Sequence, residues 1–422
     1  MAGLLTARVL SEYFDNVTLL EKDTVRDEPE SRKGQPQTRH VHALLMSGFS
    51  VMRDLFPGIQ EDLEAGGATV CDLANDVRFH MGGGYVVRHE SGMRALFASR
   101  PFLEWKVRQR VLGIANVLLR DETRVTGLRL EAGRVTGVAV QDAQGTGQID
   151  ADLVVDATGR GSQLGKWIEE FGYSRPAESL VKIDVSYTTT VLRRPPEASP
   201  AAKAYLCNPD LPGHRHLAVM FPMEGDRWIL TLGGWNGDHC PCDHDSVREW
   251  VAGLQAPEIA QVTAQVEPLT EPYRYKFAAN LRRHYEKMRD FPDGLLVIGD
   301  AIASFNPVYG QGMSSTSLQV QQLREVLGHN GKLPGIWAPY FRGIAPIIDN
   351  AWQLAVGADF AFSGTSGPKP AGTNLINRYL ERVFRACHRD PVVHTAFLRV
   401  QSMMASPLSL LHPRIMWRVI TS

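Results

Sequence analysis

The chain has 422 residues, 44% hydrophobic and 22% charged, with a formal net charge of −1. That length predicts about two to three domains with ample core, and the near-neutral balance excludes electrostatic capture of nucleic acid as a main activity. Five dispersed cysteines argue against a disulfide framework and for a reducing compartment, and no uninterrupted apolar run is long enough to cross a bilayer. With no signal peptide to read, a cytoplasmic enzyme is the expectation.

Taken in chain order, residues 2–10 (AGLLTARVL) read as an amphipathic helix, followed by the β-branched run Val17–Leu20 and Glu21. This is the back half of a dinucleotide-binding βαβ unit. Gly3 takes the place of the last glycine in G-x-[GS]-x-x-[GA], and Glu21 that of the acid that holds an adenosine ribose. The first strand and the first small residues of that motif do not precede Gly3. The expectation is an internal methionine taken as the start, and poor retention of the nucleotide by a chain lacking this central strand. Asp23 to Arg39 is a long polar loop of the kind that carries function, and His40 to Leu55 is expected to be a helix stopped by Phe56-Pro57-Gly58. A hairpin near residues 76–90, through Gly82-Gly83-Gly84, is expected to join a later β domain. Arg100-Pro101 opens another helix, and short β runs follow at Val117–Leu119, Val125–Leu130, Val135–Val140 and Asp152–Asp156.

From Val181 to Tyr275 alternation dominates, Gly294–Ile298 is a continuous apolar strand, Gly312 opens a helix, and the remainder is mostly helical. The division is therefore residues 1–180 and 286–345 as two parts of a nucleotide-binding domain, 181–285 as a β-rich substrate domain, and 346–422 as a helical C-terminal region. The fold class is α/β, a Rossmann-like domain with an inserted, mainly antiparallel β domain. Cys240-Pro241-Cys242-Asp243-His244 lacks a second ligand pair nearby and reads as a loop without a metal.

The strongest motif is Gly294-Leu295-Leu296-Val297-Ile298-Gly299-Asp300-Ala301 followed by Asn306-Pro307-Val308-Tyr309-Gly310-Gln311-Gly312-Met313. A buried parallel strand ends at Asp300, where ligands approach such sheets, and Asp300 is suited to accept hydrogen bonds from a polyol chain. Pro307 fixes the turn, Gly310 and Gly312 let backbone approach a ring system, and the following helix begins with its positive end there. The partner string is Asp152-Leu153-Val154-Val155-Asp156-Ala157-Thr158-Gly159-Arg160-Gly161-Ser162. Together these strings resemble the second FAD motif and the intermediate Asp-containing motif of the single-component flavoprotein monooxygenases, the p-hydroxybenzoate hydroxylase class. With Arg32-Lys33-Gly34-Gln35-Pro36-Gln37-Thr38-Arg39-His40-Val41-His42 and Ala98-Ser99-Arg100-Pro101, the chain is similar, over residues 1 to about 315, to the flavin epoxidases of polyether antibiotic pathways, which act on monensin- and lasalocid-type polyenes.

That resemblance implies FAD as cofactor, NAD(P)H or a flavin reductase partner as electron source, and molecular oxygen as co-substrate. It implies that Glu21 binds the adenosine ribose, that Arg32 or Arg39 approaches the pyrophosphate or ribityl, and that Arg100 contacts the flavin. Asp156 belongs to the intermediate motif, Asp300 binds the ribityl and pyrophosphate side, and Gly310, Gln311, Gly312 and Met313 line the isoalloxazine. A flavin C4a-hydroperoxide would then epoxidise or hydroxylate a lipophilic polyene or aromatic natural-product intermediate, and no protein acid/base dyad is needed for an alkene. Tyr187, Trp228, Trp235, Tyr273 and Phe277 are candidates for lining an apolar substrate cavity. His40 and His42 are assigned no catalytic duty. An FAD-dependent reductase of prenyl chains and a non-catalytic protein of the same fold are the competing readings; no W-x-W-x-I-P string suggests a halogenase. Residues 406–420 mix apolar side chains with arginines, which packing against the flavin domain or a peripheral membrane contact would explain.

Overall fold

In the computed structural model, which describes residues 1–32, 34–195, 202–330 and 333–422, continuous apolar runs and alternating runs end in different sheets. Val17–Leu20 pairs in parallel with Val117–Arg120, and Leu295–Val297, wholly buried, pairs in parallel with Val154–Asp156. The helix Ala2–Leu10 lies over both pairs: a Cβ on Gly3 would sit 3.5 Å from Leu19 Cδ2 and 3.8 Å from Ala157 Cβ. The two pairs are not joined in one sheet among the described residues, so the parallel layer is two halves flanking a slot. The helix Gln311–Asn330 packs against Ala2–Leu10 and Met46–Leu55, and their apolar faces close the largest core around Leu5, Met52, Leu295 and Val320.

The alternating runs build an eight-stranded sheet in the spatial order Ala303–Ser304, Tyr273–Arg283, Glu178–Arg193, Arg227–Trp235, Leu217–Met223, Ala204–Cys207, Val77–Met81, Gly84–Tyr85. Its neighbours are antiparallel except Ala204–Cys207 beside Val77–Met81. The hairpin expected near residues 76–90 thus adds two strands to the inserted sheet. Helices Trp337–Asp359, Thr373–Ala386, Pro391–Gln401 and Pro413–Thr421 complete the C-terminal region, and no helix among the described residues is long and apolar enough to cross a membrane. The architecture is the expected Rossmann-like α/β domain, mainly antiparallel sheet and helical C-terminus.

Two regions differ from the sequence reading. The helix expected from His40 begins at Met46, because the preceding residues are held by two sheets: His40 Nδ1 lies 2.7 Å from Thr189 Oγ1, the Val41 amide donates to Thr231 Oγ1 at 3.1 Å, and Ala43–Leu44 pairs antiparallel with Leu96–Phe97 in a smaller sheet. Tertiary hydrogen bonds override helix propensity there. Helices His244–Ala252 and Pro257–Thr263 also interrupt the β region, and Asp243 serves as N-cap of the first, accepting from the Ser246 amide at 2.8 Å.

Candidate active site

A cavity of about 1630 Å³ runs from the slot between the parallel halves, past Asp300 and the 306–313 loop, to the face of the large sheet. Asp300 lies in the short turn Gly299–Ala301 after the buried strand. Its carboxylate has no hydrogen-bond partner on the protein among the described residues and opens into the cavity. Enclosure by the cavity walls raises its pKa, while Arg100, Arg160 and the Met1 amine oppose the rise. Because the side chain is exposed to cavity water, the penalty is smaller than in a dry interior. Arg160 donates to Ser304 Oγ at 3.2 Å and stands over the Phe277 ring, 5.4 Å from its centroid.

Beyond Asp300 the loop turns through Gly310, whose φ of +68° favours glycine, and a Cβ on Gly312 would meet nothing within 4 Å. Met313 and Gln311 are nearly buried in the first turn of the 311–330 helix, and Pro307 is exposed at the start of the turn Pro307–Tyr309. A network of buried polar groups holds this loop. The carboxylate of Asp359, fully buried at the end of the 337–359 helix, accepts from Asn280 Nδ2 at 2.7 Å, Asn306 Nδ2 at 2.9 Å and the Tyr309 hydroxyl at 2.8 Å. Tyr187 donates to Asn306 Oδ1 from the sheet side. Burial raises Asp359 to a pKa of about 6 even against these donors.

At the other end of the cleft, Glu104 of the helix Arg100–Leu112 gathers three cations: Arg32 Nη2 at 2.6 Å, Arg100 Nη2 at 3.4 Å and the Met1 amine at 3.6 Å. Burial opposes its ionisation, yet the Met1 amine, Arg100 and Arg32 hold the carboxyl well below the usual range. Arg32 also reaches Glu21 Oε2 at 2.8 Å, so Glu21 is engaged by a protein cation, and its other oxygen accepts from the Asp23 amide at 3.1 Å.

The profile of the FAD binding domain family matches residues 1–327. The chain belongs to that FAD-binding family. Protein Rv3254 of Mycobacterium tuberculosis is 34% identical over 421 residues, covering 96% of this chain and 88% of that protein. Among solved structures, the flavin-dependent brominase Bmp2 matches with a TM-score of 0.69 at 15% identity, over 100% of this chain and 95% of that chain. The p-nitrophenol 4-monooxygenase PnpA from Pseudomonas putida matches at 0.64 and 16%, over 96% of this chain and 93% of that one. PqsL, a probable FAD-dependent monooxygenase from Pseudomonas aeruginosa, matches at 0.62 and 17%, over 85% of this chain and 95% of that one. At such identities the likeness to these structures is one of fold.

The residues of this FAD-binding protein fit the cofactor. Asp300 presents a free carboxylate, Arg100 Nε is buried without a partner among the described residues, and Gly312 leaves space above the loop, whereas Gln311, expected to line the ring system, is buried and does not line the cavity. Gly3, Glu21, Arg32 and Arg100 line the same cavity with Asp156, Asp300, Pro307, Gly310, Gly312 and Met313. Arg39 does not: it is exposed, its guanidinium 4.9 Å from the Tyr273 centroid, and Lys33 of the same string lies outside the described residues. Asp156 is a turn organiser, its Oδ1 accepting from the Thr158 amide at 2.9 Å and hydroxyl at 2.6 Å and its Oδ2 from Ser162.

Of the five aromatic candidates, Tyr187 and Phe277 line the cavity; Trp228 and Trp235 are fully buried in the sheet's packing, Trp235 stacked on Phe362, and Tyr273 lies under Arg39. Sequence reasoning missed Glu104, Tyr309 and Asp359. The i,i+4 spacing of Arg100 and Glu104 was a readable sign of pairing, whereas nothing local marks Asp359, 53 residues beyond Asn306.

Proposed function

We propose that this chain is an FAD-dependent monooxygenase that places one oxygen atom on an electron-rich alkene or arene of a lipophilic natural-product intermediate, with NAD(P)H as electron donor and epoxidation of a polyene as the favoured outcome. Bound FAD, once reduced, would supply the oxygen-activating chemistry. Asp300 would accept hydrogen bonds from the ribityl side, Arg100 and Arg160 would face anionic oxygens, and Gly310 and Gly312 would admit the ring system; all five line the one cavity, which supports this reading. The Asp359–Tyr309 pair holds a proton on the Tyr309 oxygen at the cavity edge.

The observation that carries the substrate reading is the wall opposite the loop. Leu206, Leu217, Val219, Phe221, Tyr275 and Phe277 come from three strands of the large sheet and belong to one apolar cluster that reaches Val308. None carries a carboxylate or an amine. His40, which lines the same cavity, is largely buried and its pKa is pushed down to about 4 by burial, so it is neutral and only a weak base. Such a wall excludes water from an oxygen-transfer step and offers an apolar surface to an alkene or arene. The test is turnover of the FAD-loaded protein with NAD(P)H and lipophilic polyenes under isotopically labelled oxygen. One labelled oxygen per product is expected. Saturation of a double bond without oxygen uptake would replace the reading with a prenyl-chain reductase.

A further inference from the structure

Large apolar side chains are concentrated on the surface of one part of this chain. Of the fourteen large hydrophobic residues exposed over the described residues, eight lie between Leu375 and Ile420. The helix Pro413–Thr421 buries Ile415 and Val419 and turns Trp417, 70% exposed, and Ile420, 65% exposed, outward. The preceding turn Pro407–Leu411 exposes Leu408 and Leu411 beside it. Tyr379 donates to the Leu410 carbonyl at 2.7 Å, fastening that turn to the helix Thr373–Ala386, which exposes Leu375 and Ile376.

Charge is concentrated in the same region. Residues 371–422 hold seven arginines against Glu381 and Asp390, a formal +5, while the preceding 370 residues sum to −6. Arg418 pairs with Asp390 at 2.7 Å. Arg378, Arg382, Arg385, Arg389, Arg399 and Arg414 are exposed and make no ion pair among the described residues. Leu375, Arg378, Arg382 and Arg385 follow helical spacing along one stripe of the 373–386 helix. Finally, Leu398 and Ser402 line the large cavity, and the helix Pro391–Gln401 that leads to them packs against the 413–421 helix.

We propose that the face built from helices 373–386 and 413–421 and the turn 407–411 is a foot that rests on an anionic lipid bilayer. Trp417, Ile420 and Leu408 would enter the headgroup–acyl boundary, and the unpaired arginines would meet lipid phosphates. A second copy of the chain is disfavoured as the occupant, because two faces of +5 repel, and nucleic acid has no use for exposed Ile and Leu side chains. The part of the cavity lined by Leu398 and Ser402 would then stand one helix layer from the bilayer, a short route for a lipophilic molecule.

The test is flotation of the full chain with phosphatidylcholine vesicles and with vesicles containing phosphatidylglycerol. Stronger binding to the anionic vesicles, weakened by salt, is expected. The exposed double variant Trp417→Ser/Ile420→Ser should bind about tenfold or more weakly, and Arg378→Glu/Arg382→Glu likewise, with unchanged circular dichroism and unfolding temperature; Trp417→Phe should retain binding. Absence of flotation with either vesicle, or equal flotation of wild type and both double variants, would overturn the proposal. Self-association in sedimentation velocity that the Trp417→Ser/Ile420→Ser variant abolishes, without flotation, would assign the face to a second copy. Vesicle binding is read without substrate or flavin, so it stands or falls separately from the oxygenase reading.

Discussion

Glu104→Gln removes the carboxylate that faces Arg32, Arg100 and the Met1 amine at one end of the cleft. Arg32 would keep Glu21 at 2.8 Å, but Arg100 and the Met1 amine would lose their anionic partner. Breaking one side of a buried ion pair costs about 3–5 kcal/mol. Because Arg32 retains a partner and cavity water reaches Arg100, the lower end, about 3 kcal/mol, is expected. At roughly 2–4 °C per kcal/mol for chains of about 150–250 residues, that is a fall of roughly 6–12 °C in Tm, and somewhat less for a longer chain.

Calorimetry and urea titration at pH 7 and low salt would measure it. The sign with pH is fixed by the depressed carboxyl: the native state holds fewer protons than the unfolded chain below the ordinary glutamate pKa of about 4.3, so wild-type stability is lost as pH falls through that window. The gap between wild type and variant is therefore full at pH 7 and narrows below about pH 4. A gap under about 1 kcal/mol at pH 7, or one that widens on acidification, would refute the reasoning.

Asp359→Asn should show the opposite sign. With its pKa raised to about 6, Asp359 binds a proton in the native state that the unfolded chain lacks between about pH 4 and 6, so wild type gains up to about 3 kcal/mol on the variant as pH falls through that window. Equal gaps at pH 4 and pH 7 by urea midpoint would contradict this. Asp300→Ala should weaken FAD binding by about 10–100-fold, the worth of hydrogen bonds to a charged acceptor, while leaving the flavin-free Tm unchanged or raised; an unaltered Kd from flavin fluorescence would sink it. Fusing five apolar β-branched residues and a glycine turn ahead of Met1 should fill the slot beside Leu19, Leu20, Val154 and Val155. Burial at about 1.5–3 kcal/mol per side chain exceeds ordering at about 1–2 kcal/mol per residue by a few kcal/mol, partly offset by loss of the Met1 amine–Glu104 ion pair when that amine becomes an amide, so a modest rise in Tm is expected. An unchanged Tm together with unchanged flavin retention after desalting would show that the slot does not accept a strand.

Local pattern carried much of this architecture. The uninterrupted apolar run 294–298 marked a buried parallel strand because no alternation was present, and the alternation from Val181 onward marked the sheet that forms the substrate wall. Asp300, Gly310 and Gly312 were legible because strand, turn and helix are contiguous in sequence. What sequence could not give depends on contacts between distant segments. Residues 40–44 are not helical because Thr189 and Thr231 hold His40 and Val41, and Leu96–Phe97 pairs with Ala43–Leu44. Trp228 and Trp235 resemble cavity-lining aromatics by type, but which face of a strand is cavity and which is core is decided by the helices and loops packed on it, such as the segment bearing Phe362. Arg39 reads as a cofactor cation until Tyr273 is seen beneath it. Asp359 lies in the last turn of a helix with no motif around it, and only the fold brings it to Asn306 and Tyr309.

FAD is proposed to occupy the cavity between Asp300 and the 306–313 loop. The most direct measurement is a flavin titration of the 422-residue chain and of its strand-extended form, read by quenching of flavin fluorescence and by the visible spectrum after desalting. Saturable binding of one FAD per chain is predicted, tighter in the extended form and weakened by Asp300→Ala. Absence of saturable binding in both forms would contradict it.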